Sequence, residues 1–161
     1  MIVSFLLILT YVIIYVTKHG IPHSLSQTYY GITYKVLFSI TIILASILLF
    51  PKMLEVTPEN FQFLTFLTLM GIIAVGCSPN FKDSSMIDNI HMISAGISLI
   101  TSQLLILLTN PWILLYWIYI IAYVINYVIK NNKINNIFTD SNIIFWSEII
   151  MILTMYTYLL C

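Results

Sequence analysis

The sequence of 161 residues contains no arginine and little charge of either sign. Six lysines balance six acidic residues, and charged residues make up 7% of the chain. Water-soluble domains carry roughly a quarter charged residues, so this composition is typical of a membrane protein. A nucleic-acid-binding surface needs clustered basic residues, and the sequence has no such cluster, so no nucleic-acid partner is expected. The length fits a single transmembrane domain, 1–161.

Cysteine and the common catalytic motifs are also scarce. The chain has two cysteines, and Cys77 and Cys161 are predicted to lie at opposite faces of the membrane, too far apart for a disulfide. There is no G-x-S-x-G, no C-x-x-C and no glycine-rich phosphate loop. The sequence therefore does not decide whether the protein is an enzyme, and it names no cofactor.

Long apolar runs dominate what is present, since 60% of the residues are hydrophobic. A membrane span needs roughly 17–25 residues, and inside lipid such a run must be helical to satisfy its own backbone. Pro111 follows Asn110 between the fourth and fifth runs and disfavours a continuous helix there. We therefore predict an all-α, polytopic membrane protein, a bundle of six transmembrane helices at about 2–17, 33–50, 60–77, 91–109, 111–129 and 141–160.

The lysines indicate the orientation of this bundle, because cytoplasmic loops are enriched in Lys and Arg. The side of the membrane that holds loops 2 and 4 has only Lys52. The side that holds loops 1, 3 and 5 has the other five of the six lysines, namely Lys18, Lys35, Lys82, Lys130 and Lys133. We therefore expect a multi-pass protein of the cell membrane with both termini outside and loops 1, 3 and 5 in the cytoplasm.

Polar side chains concentrate at the predicted cytoplasmic leaflet. Loop 1 contains KHGIPHSLSQTYYG (18–31), with two histidines, and loop 3 contains CSPNFKDSSMIDNIH (77–91), with two aspartates and the third histidine. Glu148 lies roughly 10 Å inside the sixth span from the same side, because a helix rises about 1.5 Å per residue. The candidate pocket residues are His19, His23, Asp83, Asp88, His91, Ser94, Asn126 and Glu148.

Each member of this set also has a structural explanation that needs no ligand. Three histidines with nearby acids could bind zinc, but their spacing matches no zinc motif, so no metal ligand is assigned. Ser94 begins a stripe with Ser98 and Ser102 that would let helices pack closely. It is the only catalytic candidate of the three, because it lies one turn after His91. Histidines and aspartates at an interface also hydrogen-bond loop backbone.

Glu148 and loop 1 carry the most specific expectations. An acid within a span costs up to about 2.5–3.5 kcal/mol at the bilayer centre and usually faces the bundle interior. We expect Glu148 to point toward His91, Asn126 or a tyrosine hydroxyl, or to line a wet cavity. In loop 1, Ser24 or Ser26 should cap a short helix that leads to the tyrosine pair, and the loop histidines should lie near His91.

Three short motifs occur in a recognisable order. IPHSLSQTYY precedes the second span, a G-x-x-P turn from Gly76 to Pro79 ends the third, and HMISA, from His91 to Ala95, opens the fourth. Over residues of about 20–105 the chain resembles the six-helix superfamily that includes the damage-regulated autophagy modulators and the FGF-receptor-activating-protein relatives. The resemblance implies a six-helix bundle and a role in lipid handling.

Three functions agree with these observations. The first is a membrane protein with a polar pocket at the cytoplasmic leaflet that binds or modifies a lipid or another amphipathic small molecule, in addition to its contact with the lipid bilayer. The second is a non-enzymatic membrane scaffold or interaction subunit, in which the same residues cap helices and order loops. The third is a small transporter, although the broken helices and inverted repeats that transporters often show are not evident.

Overall fold

The computed structural model describes residues 1–131 and 137–161. All regular secondary structure in this described part of the chain is helical, with 3₁₀ helices at Glu59–Phe61, Phe81–Asp83 and Pro111–Trp117. The α-helices are α1 (Ile2–His19), α2 (Thr28–Gly31), α3 (Val36–Val56), α4 (Gln62–Cys77), α5 (Ser85–Thr109), α6 (Ile118–Asn131), α7 (Ile137–Asp140) and α8 (Ile143–Tyr158). Lys133, which contributes to the predicted orientation, lies outside the described residues.

Five helical segments are long and apolar enough to cross a membrane. They are Ile2–His19, Val36–Val56, Glu59–Cys77, Ser85–Thr109 and Pro111–Asn131. The all-helical prediction is confirmed for the described residues. The five segments match five of the predicted spans and are consistent with a multi-pass membrane protein. The sixth, α8, has 16 residues and is about 24 Å long, which is less than the roughly 30 Å of a bilayer core. Its crossing of the membrane therefore stays a prediction.

Two predicted boundaries were wrong. The second span was expected to end at residue 50, but α3 continues through Pro51 to Val56. Proline is tolerated inside a membrane helix because neighbouring groups satisfy the freed carbonyl, and Met53 beyond it is buried against other helices. The fourth span was expected to begin at residue 91, but α5 begins at Ser85, because the Ser84 hydroxyl accepts a hydrogen bond from the Ile87 N–H and caps the helix.

The central element of the bundle is α8. None of the side chains from 143 to 159 is exposed, and hydrogen bonds join α8 to the surrounding helices. Tyr156 bonds to Ser4 of α1, and Thr154 bonds to Gln103 of α5. A helix that is apolar all round is expected to be covered on every side. The chain breaks at Asn110 as predicted, and α6 packs on α8.

The most extensive helix contact joins α4 and α5. A Cβ atom built on Gly71 would lie 2.8 Å from the Ser94 carbonyl oxygen and 2.9 Å from the Ser98 Cβ. Thr68 and Thr101 share a hydrogen bond of 2.8 Å across the same interface. The serine stripe of α5 is therefore buried packing surface, in agreement with the structural explanation given to Ser94.

Candidate functional site

Loop 1 is an ordered part of the bundle. The helix α1 ends at His19, and Gly20 turns the chain with φ +79°, a conformation that glycine adopts without steric cost. The Ser24 hydroxyl then accepts a hydrogen bond from the Gln27 N–H at 3.2 Å. Ser24 therefore caps the turn that precedes α2, whereas α2 itself begins at Thr28 with no side-chain cap.

Glu148 connects loop 1 to the central helix. Its carboxylate accepts a hydrogen bond from the backbone N–H of Leu25 at 2.5 Å. Close by, the backbone N–H of Phe145 donates to the carbonyl of His23 at 3.0 Å. Glu148 is surrounded by protein but keeps some accessible surface, so it faces the bundle interior. The expected partners were wrong, because a loop amide takes the position that a histidine, Asn126 or tyrosine side chain was predicted to hold.

His91 connects loop 3 to α5. Its side chain is buried, and its Nδ1 lies 2.9 Å from the carbonyl oxygen of Ser78. A carbonyl only accepts, so Nδ1 carries the proton and donates it. The ring also stacks on Phe81, with 4.5 Å between centroids. These contacts give His91 a structural role in holding loop 3 on the head of α5.

An aromatic row continues from His91 into loop 1. Ring centroids are 5.4 Å apart between Phe81 and Tyr30 and 5.1 Å apart between Tyr30 and Tyr29, with edge-to-face geometry in both pairs. Edge-to-face pairs of this kind are favourable. The hydroxyl of Tyr30 also accepts a hydrogen bond from the backbone N–H of Lys82 at 2.7 Å. The row therefore joins loops 1 and 3 at one end of the bundle.

Two lysines converge on Tyr30 at the solvent edge of this row. The ammonium nitrogen of Lys82 lies 4.9 Å from the centroid of the Tyr30 ring, and that of Lys35 lies 5.9 Å from it. Lys35 also lies 5.4 Å from the Tyr29 ring. Cations within about 6 Å of an aromatic face are attracted by its quadrupole. The ring of Tyr30 is thus within reach of two positive charges.

Two aspartates also influence Tyr30. Partial desolvation raises the pKa of the Tyr30 hydroxyl, and the charges of Asp83 and Asp88 raise it further, against a lowering by the hydrogen bond from Lys82. The hydroxyl therefore stays neutral at physiological pH. Both aspartates also line an open groove of about 520 Å³, whose walls are Phe81, Lys82, Asp83, Ser84, Ser85 and Asp88. We call it the loop-3 groove.

The eight predicted pocket residues do not meet in one cavity. Asp83 and Asp88 line the loop-3 groove, and His91 stacks on Phe81 of its wall. Glu148 and His23 lie at a different contact, between loop 1 and α8. There Glu148 accepts from the Leu25 N–H, and the His23 carbonyl accepts from the Phe145 N–H. The remaining three are separate. His19 is exposed beside Tyr15, Ser94 is packed between helices and Asn126 is exposed on α6. Within 1–131 and 137–161, no three His, Cys, Asp or Glu side chains are grouped closely enough to hold a metal.

Four residues of the site were missed by sequence reasoning. Tyr30 was named only as part of the tyrosine pair, Lys35 and Lys82 were used only in the count of loop charges, and Phe81 was given no role. A tyrosine pair five residues before a lysine, and a Phe-Lys-Asp sequence in a loop on the same side, are the available signals. No pattern in the sequence predicts the lateral contact between these two loops.

Comparisons with protein-family models, with curated proteins and with solved structures found no match for this chain. The resemblance to the six-helix superfamily therefore stays a prediction from three short motifs.

Proposed function

We propose that this protein is an integral membrane protein that binds an amphipathic, phosphate-bearing lipid at the bundle end formed by loops 1 and 3. The observation that carries the proposal is the convergence of the Lys35 and Lys82 ammonium groups on the Tyr30 ring. Of these residues, Lys82 also lines the loop-3 groove. The lysine distribution supports placing this end at the cytoplasmic leaflet, with six crossings and both termini outside.

Lysine and tyrosine have characteristic positions in a membrane protein. Both residue types occur at the level of the lipid headgroups, where rings are half in contact with hydrocarbon and ammonium groups reach water. Here Tyr30 orients both ammonium groups, so their positions are partly fixed before a ligand arrives. A lysine near an anionic lipid contributes about 1 kcal/mol, and two lysines on one phosphate would together contribute about 2 kcal/mol.

The experiment compares lipid retention by matched lysine variants. The full chain is purified in detergent, and binding of added dioleoylphosphatidylglycerol and dioleoylphosphatidylethanolamine is measured by native mass spectrometry. The double variant Lys35→Gln/Lys82→Gln should bind about 30-fold more weakly, since 1.4 kcal/mol is a tenfold change. Lys52→Gln is the control, because Lys52 pairs with Glu55 near the opposite end of α3.

Equal retention by the double variant and by the wild type would overturn the proposal. A loss of the same size in Lys52→Gln would also overturn it, because lipid would then be attracted by any lysine on the protein. Thermal midpoints of all three proteins in the same detergent are compared to check that each variant is folded. Both lysines of the site are exposed.

A scaffold or interaction subunit is the second candidate, and one observation favours it. Glu148 and His91, two prominent members of the predicted pocket, both hold loops by hydrogen bonds to backbone groups. Under this alternative the same lysine variants leave lipid binding unchanged. Glu148→Leu, which removes a loop attachment, then lowers the stability of the protein but does not change lipid binding at the groove.

A further inference from the structure

We infer that the loop-3 groove, together with Lys35, which shares the Tyr30 ring with the groove residue Lys82, selects a zwitterionic headgroup of the phosphoethanolamine class. Its phosphate would lie on Lys35 and Lys82 and its ammonium on Asp83 and Asp88. The inference rests on the proposed lipid-binding function and specifies the ligand of the same site. A phosphate and a primary ammonium joined by a two-carbon link are the shared chemistry. That chemistry is supplied either by the lipid phosphatidylethanolamine or by free phosphoethanolamine.

The charges around Tyr30 form two pairs of opposite sign. Lys35 and Lys82 lie on the ring, and the fields of Asp83 and Asp88 both reach the hydroxyl. Yet no carboxylate of either aspartate lies within 4.0 Å of a lysine ammonium in the described chain, where Lys52–Glu55 is the ion pair that forms. Lys82 therefore lines the same groove as both aspartates without forming an ion pair with either.

Separated charges of this kind match a ligand that carries both signs. The site has two positive and two negative side chains, so it attracts a zwitterion at both of its ends. An anionic headgroup without an amine gains the same contacts with the lysines but meets two carboxylates of its own sign, which disfavours it. Such unfavourable pairings are a general source of specificity. The groove should therefore prefer phosphatidylethanolamine to phosphatidylglycerol.

The type of amine follows from the hydrogen-bonding groups. A primary ammonium has three N–H donors, which can be shared between two aspartate carboxylates. A quaternary ammonium, as in choline, has no donor and is recognised instead by open aromatic faces. At this site the Tyr30 ring is already occupied by lysines, and Phe81 is stacked on His91. The groove should therefore also prefer ethanolamine to choline.

The experiment uses the detergent-purified full chain and native mass spectrometry with four ligands. They are the dioleoyl lipids phosphatidylethanolamine, phosphatidylglycerol and phosphatidylcholine, and free phosphoethanolamine. We expect phosphatidylethanolamine to bind at least tenfold more tightly than the other two lipids. The double variant Asp83→Asn/Asp88→Asn should lose this preference and bind phosphatidylglycerol more tightly than the wild type does. Glu59→Gln, an exposed acid in loop 2, is the control and should keep the preference.

The outcomes separate this inference from the function on which it rests. If the wild type binds phosphatidylglycerol or phosphatidylcholine as tightly as phosphatidylethanolamine, or the aspartate variant keeps the preference, zwitterion selection is wrong while lipid binding stands. If no lipid binds above the level of Lys35→Gln/Lys82→Gln, the proposed function fails. If free phosphoethanolamine binds as tightly as the lipid, the headgroup selection stands and the lipid source is overturned. The aspartates are exposed. Thermal midpoints are measured for each variant to check that it is folded.

Discussion

Glu148 supplies a hydrogen-bond acceptor for a backbone N–H of loop 1 that has no acceptor within the loop. The turns of the loop use the backbone N–H groups from Gln27 to Tyr30, and the N–H of Leu25 precedes those turns. Leu25 is buried, so an unpaired amide there would lose water without gaining a partner. A carboxylate projecting from the central helix supplies the acceptor, and this contact explains why an acid is retained inside an apolar helix.

Two substitutions at Glu148 distinguish shape from hydrogen bonding. Glu148→Leu removes the acceptor and should lower the free energy of unfolding by about 1–3 kcal/mol, because a buried N–H loses its partner. Glu148→Gln keeps an oxygen that can accept from Leu25 and should cost much less. Thermal unfolding in detergent measures both, with Glu59→Leu as an exposed control. If Glu148→Gln folds normally but binds phosphatidylethanolamine less tightly than the wild type, the carboxylate has a functional role beyond this contact.

Among the helices, the pair α4 and α5 depends most on small residues. Gly71 lies where the backbone of Ser94 and Ser98 approaches within 3.0 Å of the position of an added Cβ. Backbone atoms cannot move aside as the end of a flexible side chain can. In membranes such close approach replaces the hydrophobic effect as a source of helix association. The α4–α5 contact should therefore be sensitive to a single methyl group.

Gly71→Ala tests this contact, and Gly96→Ala is its matched control. An added methyl group at Gly71 should lower the free energy of unfolding by about 1–3 kcal/mol through overpacking. The same change at Gly96 in α5 meets no atom within 4 Å and should be neutral or stabilising by up to about 1 kcal/mol, since alanine favours helix. Detergent unfolding curves give both values. Equal midpoints for the two variants would contradict the close packing.

The central position of α8 illustrates what sequence patterns leave open at the element scale. Its residues are apolar on all sides, which predicts a helix in lipid or in a protein interior equally well. Hydropathy alone therefore predicted a sixth helix at 141–160, but it could not predict that this helix lies in the middle of the bundle. The polar side chain of Gln103 is one contact that fixes this position, because its amide donates a hydrogen bond to Thr154 of α8 at 3.2 Å.

For the whole molecule, hydropathy predicted most of what the fold contains. Apolar length located five helical segments that are long enough to span a membrane, and Pro111 located the break at Asn110, because a bilayer imposes both helix and length. The site was only partly predicted, since the contact between Tyr30 and Lys82 joins positions 52 residues apart. No local pattern encodes which loops touch at one end of a bundle. Residues such as Asn126 and His19 were included because they share a depth, and depth does not determine lateral position.

The orientation in the membrane is the property on which the cytoplasmic assignment of the groove depends. It was inferred from lysine positions, of which Lys133 is outside the described residues. The structure adds that loops 1 and 3 meet through Tyr30 and Lys82, so they must lie on the same side. Asn60, in the exposed loop between α3 and α4, is then expected on the opposite side, and one label at each loop decides the orientation.

Cysteine labelling in intact cells determines this orientation. Both native cysteines are exposed, so they are first replaced by serine, and Asn60→Cys or Ser84→Cys is then introduced singly. A membrane-impermeant maleimide should label residue 60 from outside and should label residue 84 only after the cells are opened, because five of the six lysines lie on the side of residue 84. Labelling of residue 84 in closed cells would reverse the orientation. The loop-3 groove would then face the outer leaflet, and its headgroup would have to be supplied from that side.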